Sequence, residues 1–422
     1  LITIMHTIHT DLAYGNESID KNCNLYRFVY FSNLVETSAF LNANISKNSF
    51  KINDLKADLN RELGNKNNLP IDISITSQIY KTDSNTFNSQ RLSKNEVNEL
   101  TGKIGIDLWN ELSRRRVSNY KQSLISHDIS SLKSSNDAEV IISLIELSKT
   151  KSLIKLLEIR ENLLTQKVEY FTLRKELGEN VSQQLLETRK SRVENLNKIS
   201  SANVKVSNLI SKLEISYKDY DEVLPLPTYL NVEKNFKCSA HLVSYTEAKK
   251  SLELLNVELT DKNLDFGPKI NAFIKETENK NNIGYFDNEI KYGVEISFPL
   301  FEGGRKIRQR QNILERIENK EYEIKKLKKE SVRINKQRAE IEYVLSNSLG
   351  IISNTLEEKK SLLIELSERM QLGQSLFVEV SDASLEENLL EESGLNLVAQ
   401  FLIGWVNYLQ QIGQVNSHDF KL

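Results

Sequence analysis

The 422-residue sequence contains few residues that end helices or cross-link a fold. It has 15 Gly, 5 Pro and 2 Cys. With 27% charged and only 39% hydrophobic residues, this composition favours long helices over several compact domains. Two cysteines are too few for a disulfide framework or a zinc site. Cys23 and Cys238 are either joined by a single disulfide bond or are two unrelated thiols.

An excess charge of one sign and long apolar runs are also lacking. The net charge of −2 argues against the basic field typical of nucleic-acid-binding proteins. No run approaches the roughly 18 apolar residues of a membrane-spanning helix, which excludes helical spans but not strands. Leu1–Met5 is apolar, and Ala13-Tyr14-Gly15 has the small-residue spacing of a signal-peptidase site. We expect residues 1–15 to be the remnant of an export signal, the alternative being a plain N-terminal tail.

Motifs that carry catalysis or hold cofactors are absent from the sequence. Gly303-Gly304-Arg305-Lys306 lacks the spacing and the hydroxyl residue of a phosphate-binding loop. The histidines are scattered, without a helical metal pair or a Gly-x-Ser-x-Gly elbow elsewhere in the chain. We therefore expect no enzymatic activity, no metal site and no cofactor.

An internal repeat organises the chain. Lys103–Leu108 resembles Lys291–Ile296, and Leu177–Asn180 resembles Leu372–Ser375, in the same order and at nearly the same separation. The predicted domains are an N-terminal segment, a first repeat, a connector, a second repeat and a C-terminal tail, at 1–35, 36–211, 212–239, 240–414 and 415–422.

Each repeat follows one plan of helix, strand, polar loop, strand, long helix, glycine-centred turn and long helix. The predicted short helices are 36–64 and 241–265. The predicted strands are 70–81, 102–110, 268–277 and 290–299, and the predicted loops are 82–100 and 278–289. Turn-forming residues from Ser126 to Asn136 predict a break in the first long helix.

The strands alternate apolar and polar residues, as Tyr292, Val294 and Ile296 show against Glu295 and Ser297. Strands of about ten residues with this alternation fit a membrane barrel with a wet interior. An ordinary half-buried sheet is the alternative.

The long helices carry a narrow apolar seam. From Gly304 to Leu372 the apolar spacings are mostly three, four and seven, which is typical of a coiled coil. Such a helix is on the order of 100 Å long. Four strands cannot close a barrel, since even small barrels need about eight. Three chains would supply twelve, so the sequence predicts an obligate oligomer.

Three stretches resemble a known family, the TolC-like outer-membrane efflux and secretion channels. They are ISFPLFEGGR at Ile296–Arg305, LGQSLFVEVSDA at Leu372–Ala383 and NYLQQIG at Asn407–Gly413. The resemblance covers residues 36 to 414. It implies an α+β membrane protein in which a long α-helical coiled-coil barrel adjoins four amphipathic strands per chain, and a homotrimer completes a 12-stranded β-barrel.

The resemblance also implies a location and partners. The barrel would lie in the bacterial outer membrane, in contact with its lipid, and the helical tunnel would lie in the periplasm. The chain would be a passive exit duct of a tripartite efflux pump or a type I secretion system. Its partners would be a periplasmic adaptor and an inner-membrane transporter, either ABC-type or proton-driven, and not nucleic acid.

Site residues follow from the matched motifs. Adaptor-docking hairpin tips are expected at Gly178 and Glu179 and at Gly373 and Gln374. Glu379 and Asp382 match the acidic pair that rings the pore entrance in the family. Threefold repetition would bring six carboxylates to one axis and attract cations. The alternative for both is an acidic pair favoured by the helix dipole.

The junction between strand and helix is expected at Pro299, Gly303 and Gly304. Proline ends the strand ladder because it has no N–H to donate, and glycine permits the turn. The first repeat departs from this pattern, reading Asn110–Arg116 without Pro or Gly. The competing interpretation of the whole chain is a soluble coiled-coil scaffold with a small β cap, which would explain the heptads but not the repeated strand-loop-strand-helix plan.

Overall fold

The computed structural model describes most of the chain. The described residues are 37–43, 49–67, 71–83, 94–106, 108–228, 242–264, 269–280, 286–297, 304–373, 376–413 and 415. The predicted segment 1–35, the end of the predicted tail, Cys23 and Cys238 lie outside them.

Long helices and two hairpins make up the described residues. The helices are α1 Ser38–Asn42, α2 Ser49–Asn67, α3 Leu108–Glu176, α4 Ser182–Leu213, α5 Tyr217–Glu222, α6 Val243–Leu264, α7 Arg305–Gln371 and α8 Phe377–Gln411. The strands are β1 Ile71–Asp83, β2 Lys94–Ile106, β3 Lys269–Lys280 and β4 Phe286–Ser297.

The lengths of α3 and α7 follow from the scarcity of helix breakers. α3 has 69 residues and α7 has 67, so each is about 100 Å long. α3 contains neither Gly nor Pro, and Gly350 is the one glycine within α7. Both helices therefore continue without a residue that costs more than about 1 kcal/mol in a helix interior.

The predicted break from Ser126 to Asn136 is wrong, because α3 runs through it unbroken. Serine, asparagine and aspartate disfavour helix by only about 0.5 kcal/mol each. Tertiary contacts outweigh that cost. The hydroxyl of Ser135, for example, accepts a hydrogen bond of 2.9 Å from the side chain of Gln410.

The strands form two antiparallel hairpins. β1 pairs with β2 from Ile71 opposite Ile106 to Asp83 opposite Lys94. β3 pairs with β4 in the same way, starting with Lys269 opposite Ser297. β2 lies beside β3, so the hairpins are neighbours.

Four predicted strands are found with shifted bounds, and the second needs the largest correction. The strand predicted at 102–110 occupies Lys94–Ile106, and α3 begins at Leu108. Much of the predicted loop 82–100 is therefore strand. Residues 94–100 lack a clean alternation, and their backbone is paired because β1 is opposite. Such strands depend on their partner more than on their own residue pattern.

The described residues pack as two units that differ from the two repeats. One unit contains the described parts of 1–52, 130–243 and 327–422, and the other contains those of 53–129 and 244–326. Each unit therefore takes residues from both repeats. The repeat boundaries remain a prediction about the sequence.

The first unit is a layer of four helix segments in the order α4, α3, α8, α7. Lys205 of α4 pairs with Glu146 of α3 at 2.6 Å. Asn388 of α8 donates to the carbonyl of Leu156 in α3 at 2.9 Å. Side chains of α3, α4 and α8 form most of its core. The largest fully buried side chains are Trp405, Phe401, Ile141, Leu144, Ile145, Leu147, Leu157, Leu213, Leu395 and Leu402.

The described part of the connector, up to residue 228, is fixed to α3 by two consecutive polar side chains. The ammonium group of Lys151 donates to the carbonyls of Tyr220, Asp221 and Val223 at 3.2, 2.9 and 3.0 Å. The hydroxyl of Ser152 donates to the carbonyl of Leu226 at 2.9 Å. Burial lowers the pKa of Lys151, an effect that Asp221 opposes. These bonds satisfy carbonyls in the last turn of α5 and in the segment that follows it.

The second unit holds the strands together with α2, α6 and the neighbouring ends of α3 and α7. The hydroxyl of Ser118 donates to the carbonyl of Glu62 at 2.9 Å, which joins α3 to α2. Arg316 approaches Glu258 at 3.7 Å, which joins α7 to α6. Within the described ranges, no helix combines the length and apolarity required to cross a membrane.

Candidate entrance site

The turn between α3 and α4 has the geometry of a glycine-terminated helix. Gly178 has φ of +89°, a conformation that costs other residues roughly 1–2 kcal/mol. Its N–H donates to the carbonyl of Lys175 at 3.0 Å, and the N–H of Glu179 donates to the carbonyl of Arg174 at 3.1 Å. This bond pair is the Schellman motif, so the predicted tip is a specified turn.

Glu179 is tied to the helix that it follows. Its carboxylate forms an ion pair with Arg174. The guanidinium of Arg174 also donates to the hydroxyl of Tyr170 at 3.0 Å and lies 5.5 Å from that ring's centroid. The hydrogen bond to Glu179 raises the pKa of Arg174. The acidic residue at this tip therefore has a cationic neighbour.

The second tip also has a glycine with positive φ that closes the helix. Gly373 has φ of +73°, and its N–H donates to the carbonyl of Met370 at 3.0 Å. Gln374, the other residue predicted at this tip, lies outside the described residues.

Aromatic side chains join the first hairpin to the start of α8. The ring of Tyr170 lies 5.2 Å from that of Phe377 and 5.5 Å from that of Phe171. Phe171 packs with Val181 and Leu185 in a small buried cluster, against which Val378 also packs. The structure thus brings the two predicted tip regions together through apolar contacts that sequence analysis did not identify.

Glu379 acts as a cap for α8. Its carboxylate accepts a hydrogen bond of 3.2 Å from the N–H of Leu376, the residue before the helix. Leucine has no side-chain acceptor to return the bond, so half of a capping box is made. The side chain is exposed. This geometry matches the alternative interpretation, an acidic residue stabilised at a helix N-terminus.

Asp382 forms an ion pair with Lys167 of α3. Its carboxylate is about half exposed, whereas Lys167 is 12% exposed. Glu379 and Asp382 lie one turn apart at the start of α8, as predicted. Lys167 could not be identified by sequence pattern, because its partner is 215 residues away.

Both members of this ion pair line a groove of about 630 Å³. The groove lies between α3, α4 and α8, and its apolar lining includes Leu164, Phe171 and Leu385. Asn195 also lines it. The amide nitrogen of Asn195 donates to the carbonyl of Leu157 at 2.9 Å, while its buried amide oxygen has no hydrogen-bond partner among the described residues.

A buried arginine crosses from α3 to α8 beside this groove. Nε of Arg160 donates to the amide oxygen of Asn388 at 2.9 Å, and an Nη nitrogen bonds Glu392 at 2.7 Å. Arg160 is 7% exposed. A buried, paired guanidinium fixes the relative position of the helices that it joins. No local sequence motif could have identified this network, since its members are more than 200 residues apart.

The predicted junction between strand and helix is described in part. Pro299 and Gly303 lie outside the described residues. Gly304 has φ of +75°, and its carbonyl accepts the first helical bond of α7, from Arg308 at 3.1 Å. A glycine is therefore required where α7 begins.

The described residues contain no group of three or more acidic, histidine or cysteine side chains that could hold a metal ion. The site consists instead of paired charges, a capped helix and aromatic contacts. Such an arrangement can position helices relative to one another and expose negative charge at the groove.

Comparisons with known proteins identify the fold. No family model matches the chain, and no curated protein matches its sequence. Solved structures match nearly the whole of it. A membrane protein from Pseudomonas aeruginosa matches at 13% identity and a TM-score of 0.64, over 92% of this chain and 91% of that one.

Two further matches are bacterial outer-membrane proteins. VceC from Vibrio cholerae matches at 11% identity and a TM-score of 0.64, over 91% of this chain and 95% of that one. The open state of the outer-membrane channel MtrE from Neisseria gonorrhoeae matches at 11% identity and a TM-score of 0.63, over 92% and 89%. The chain therefore has the fold of the TolC-like outer-membrane channels.

Proposed function

We propose that this chain is one subunit of a homotrimeric exit channel in the bacterial outer membrane. The observation that carries the proposal is the likeness to outer-membrane channel structures over about nine-tenths of both chains. The path would be passive, since the chain has no catalytic motif. The proposed site is an entrance, and the proposed action is to let solutes leave the periplasm.

The number of strands per chain supports a trimer. The described residues include four strands in two adjacent hairpins. Four strands are too few to close a barrel, and an open sheet edge in hydrocarbon would leave backbone groups unpaired. Three copies would supply twelve strands in one closed ring. In β4, Tyr292 and Val294 share a face, are 85% and 65% exposed, and would contact lipid.

The helices would form the periplasmic tunnel. In this proposal the tips at Gly178 and Gly373 are the ends that meet a periplasmic adaptor, which joins the channel to an inner-membrane transporter. The paired Glu179 and the neighbouring aromatic cluster would give the first tip a defined surface for that contact. Both efflux and type I secretion systems use such an arrangement, and the proposal covers either.

The net negative charge at the proposed entrance would be smaller than that of six uncompensated carboxylates. Glu379 caps α8 and Asp382 is paired with Lys167, so cation attraction would come from partly compensated groups. A ring of this kind still favours cations because the carboxylates are the more exposed members.

The test of the proposed function begins with cell fractionation. We expect the full-length protein in the outer membrane, extracted only by detergent and sedimenting as a trimer. In planar bilayers it should conduct, with a current that divalent cations reduce. A conducting double variant Glu379→Gln, Asp382→Asn that is less sensitive to those cations would support the entrance assignment. Recovery of a freely soluble, non-conducting protein would instead favour the coiled-coil scaffold.

A further inference from the structure

Cations are concentrated at the start of α7. This helix begins with Arg305, Lys306, Arg308 and Arg310, and its first acidic residue is Glu315. The side chains of Arg305, Arg308 and Arg310 are exposed. Because the whole chain has a net charge of −2, this cluster is a local feature and does not follow from overall composition.

The start of α3 has a second group of cations. Its first four turns contain one acidic residue, Glu111, and four cations, which are Arg114, Arg115, Arg116 and Lys121. The side chains of Arg115 and Arg116 are exposed. Both helices that follow a strand hairpin therefore begin with an excess of positive charge.

The two groups lie at nearly the same level of the second unit. Leu124 of α3 and Asn319 of α7 line one cleft, together with Leu255 of α6. Arg115 and Arg310 each lie about nine residues before that cleft, on helices that both run away from the strands. At about 1.5 Å per residue, the exposed arginines fall within a height of about 10 Å. We call this set the basic belt, and its members are Arg115, Arg116, Arg305, Arg308 and Arg310.

The basic belt follows directly on the strands. β2 ends at Ile106 and α3 begins at Leu108, while β4 ends at Ser297 and α7 begins at Arg305. In the proposed barrel, a strand of about 12 residues tilted by about 40° spans about 30 Å, and the apolar band of such barrels is about 25 Å tall. The strands are therefore just long enough to cross the hydrocarbon, and the helices begin at the level of the lipid headgroups.

Exposed apolar side chains accompany the belt. Tyr292 and Val294 share the exposed face of β4, and Ile307, among the arginines of α7, is 54% exposed. Aromatic side chains near strand ends are typical of a membrane interface. Arginine side chains at such an interface place their alkyl stems against apolar groups and their charges among the headgroups. The exposed surface thus changes from apolar to cationic in the order in which a bilayer changes from hydrocarbon to headgroup.

We propose that the basic belt binds the phosphodiester headgroups of anionic phospholipids in the leaflet that surrounds the helix end of the barrel. A guanidinium group binds a phosphate through two parallel N–H···O bonds, which lysine does not reproduce. Three copies of the chain repeat the belt around the barrel. This inference rests on the proposed channel, and it identifies the class of lipid that the junction between strands and helices selects.

Lipid retention by the detergent-purified full-length protein tests the proposal. The protein is incubated with micelles that contain equal amounts of phosphatidylglycerol and phosphatidylcholine with the same acyl chains. The lipid that stays on the trimer after size-exclusion chromatography is then quantified by mass spectrometry. We expect phosphatidylglycerol to be enriched about fivefold or more, the factor expected for one cation near an anionic surface. Added salt should reduce the enrichment, because exposed charges are screened.

Charge removal tests whether the belt holds this lipid. The variant Arg305→Gln, Arg308→Gln, Arg310→Gln should lower the enrichment by about fivefold or more. Arg115→Gln with Arg116→Gln should lower it as well, from a different helix. All five side chains are exposed, so these changes leave the helix packing in place. Sedimentation of each variant as a trimer checks this.

Two further variants are controls. Lys325→Gln, Lys326→Gln, Lys328→Gln removes three exposed cations from the same helix, about 30 Å further along, and should leave the enrichment unchanged. Replacing the three arginines of α7 by lysine keeps the charge and removes the paired N–H···O geometry. That variant should retain an enrichment between those of the unaltered protein and the glutamine variant.

Each other outcome has a defined meaning. Equal retention of the two lipids would indicate apolar contact alone and would overturn the inference while leaving the proposed channel standing. An equal loss in the lysine-to-glutamine control would assign the effect to overall charge and would also overturn it. Release of phosphatidylglycerol by inorganic phosphate at constant ionic strength would indicate a site for free phosphate. A freely soluble monomer would refute the proposed channel and this inference together.

Discussion

Lys167 on α3 and Asp382 on α8 form an ion pair at the edge of the groove between α3, α4 and α8. The lysine is nearly buried and the aspartate is half exposed, so the pair presents its negative member to solvent. The charge at this position therefore depends on a contact between two helices. Separating α3 from α8 would change both the shape and the charge of the groove.

The first prediction concerns this pair. Replacing Lys167 by Gln removes the charge that compensates Asp382, so divalent cations should block the conductance more strongly. We expect an increase of about fivefold, because the uncompensated charge of half-exposed Asp382 contributes about 1 kcal/mol. Asp382→Asn leaves an uncompensated lysine and should have the opposite effect, and the double variant, which has the net charge of the intact pair, should lie between the two single variants. Bilayer recordings over a range of divalent-cation concentrations measure this. Arg369→Gln, in the exposed pair with Glu365, is the control and should leave the block unchanged.

The second prediction concerns the first tip. Gly178→Ala forces a side chain into a left-handed conformation and should destabilise the protein by about 1 kcal/mol. Gly350→Ala places the same substitution inside α7, with no atom within 4 Å of the new methyl group. It should stabilise by about 0.5–1 kcal/mol. Urea unfolding in detergent compares the two. Equal effects of the same sign would show that the turn at Gly178 does not need glycine.

Much of this fold is predictable from the sequence because its signals are local. The seam of α7 and the glycines at 178, 304 and 373 are evident from spacing and residue type, and all three glycines have positive φ. The exact strand at 94–106 was not evident, because its pairing comes from β1. The helix through Ser126–Asn136 was missed because contacts such as that of Ser135 with Gln410 lie far apart in sequence.

The candidate site is also predictable only in part from the sequence. Glu379 and Asp382 were identified by their place in a local motif. Their neighbours Lys167, Arg160 and Tyr170 lie in the other predicted repeat and carry no motif of their own. Residues that act by contact across a helical layer become visible only when the layer is known.

A third prediction tests the close packing of α8. A methyl group at Gly394 would overlap the carbonyl oxygen of Thr228 and lie 3.3 Å from Cγ2 of Ile352. Backbone atoms cannot rotate away as a side chain can. Gly394→Ala should therefore destabilise by about 2–3 kcal/mol. Thermal unfolding in detergent measures this against Gly350→Ala. An unchanged unfolding temperature would mean that the connector at Thr228 can move away from α8 without loss of stability.

The fourth prediction concerns alkaline pH. Burial raises the pKa of Tyr408 from 10.0 to about 12, an effect that Glu342 adds to and Arg338 opposes. The folded state therefore keeps a proton that the unfolded state loses first. This contribution is complete below about pH 10 and falls as pH rises toward 12, by about 2–3 kcal/mol in total.

Denaturant unfolding between about pH 9 and pH 11 measures that loss. Tyr408→Phe should reduce the slope, and at neutral pH it should cost about 1 kcal/mol because the 2.8 Å bond to Asn335 is removed. An identical slope in the variant would assign the alkaline loss to other groups.

The distance along the chain between α3 and α8 has a consequence for biosynthesis. Arg160 and Asn388 are 228 residues apart, and Gln410 and Ser135 are 275 apart. The ribosome completes α3 and α4 long before it makes the helix that covers them. During that interval the core around Leu144 lacks the side chains that α8 supplies, such as Phe401 and Trp405, and exposed apolar surface of this kind aggregates. The interval between the synthesis of α3 and that of α8 is therefore the stage of biosynthesis at which this core has the largest exposed apolar surface.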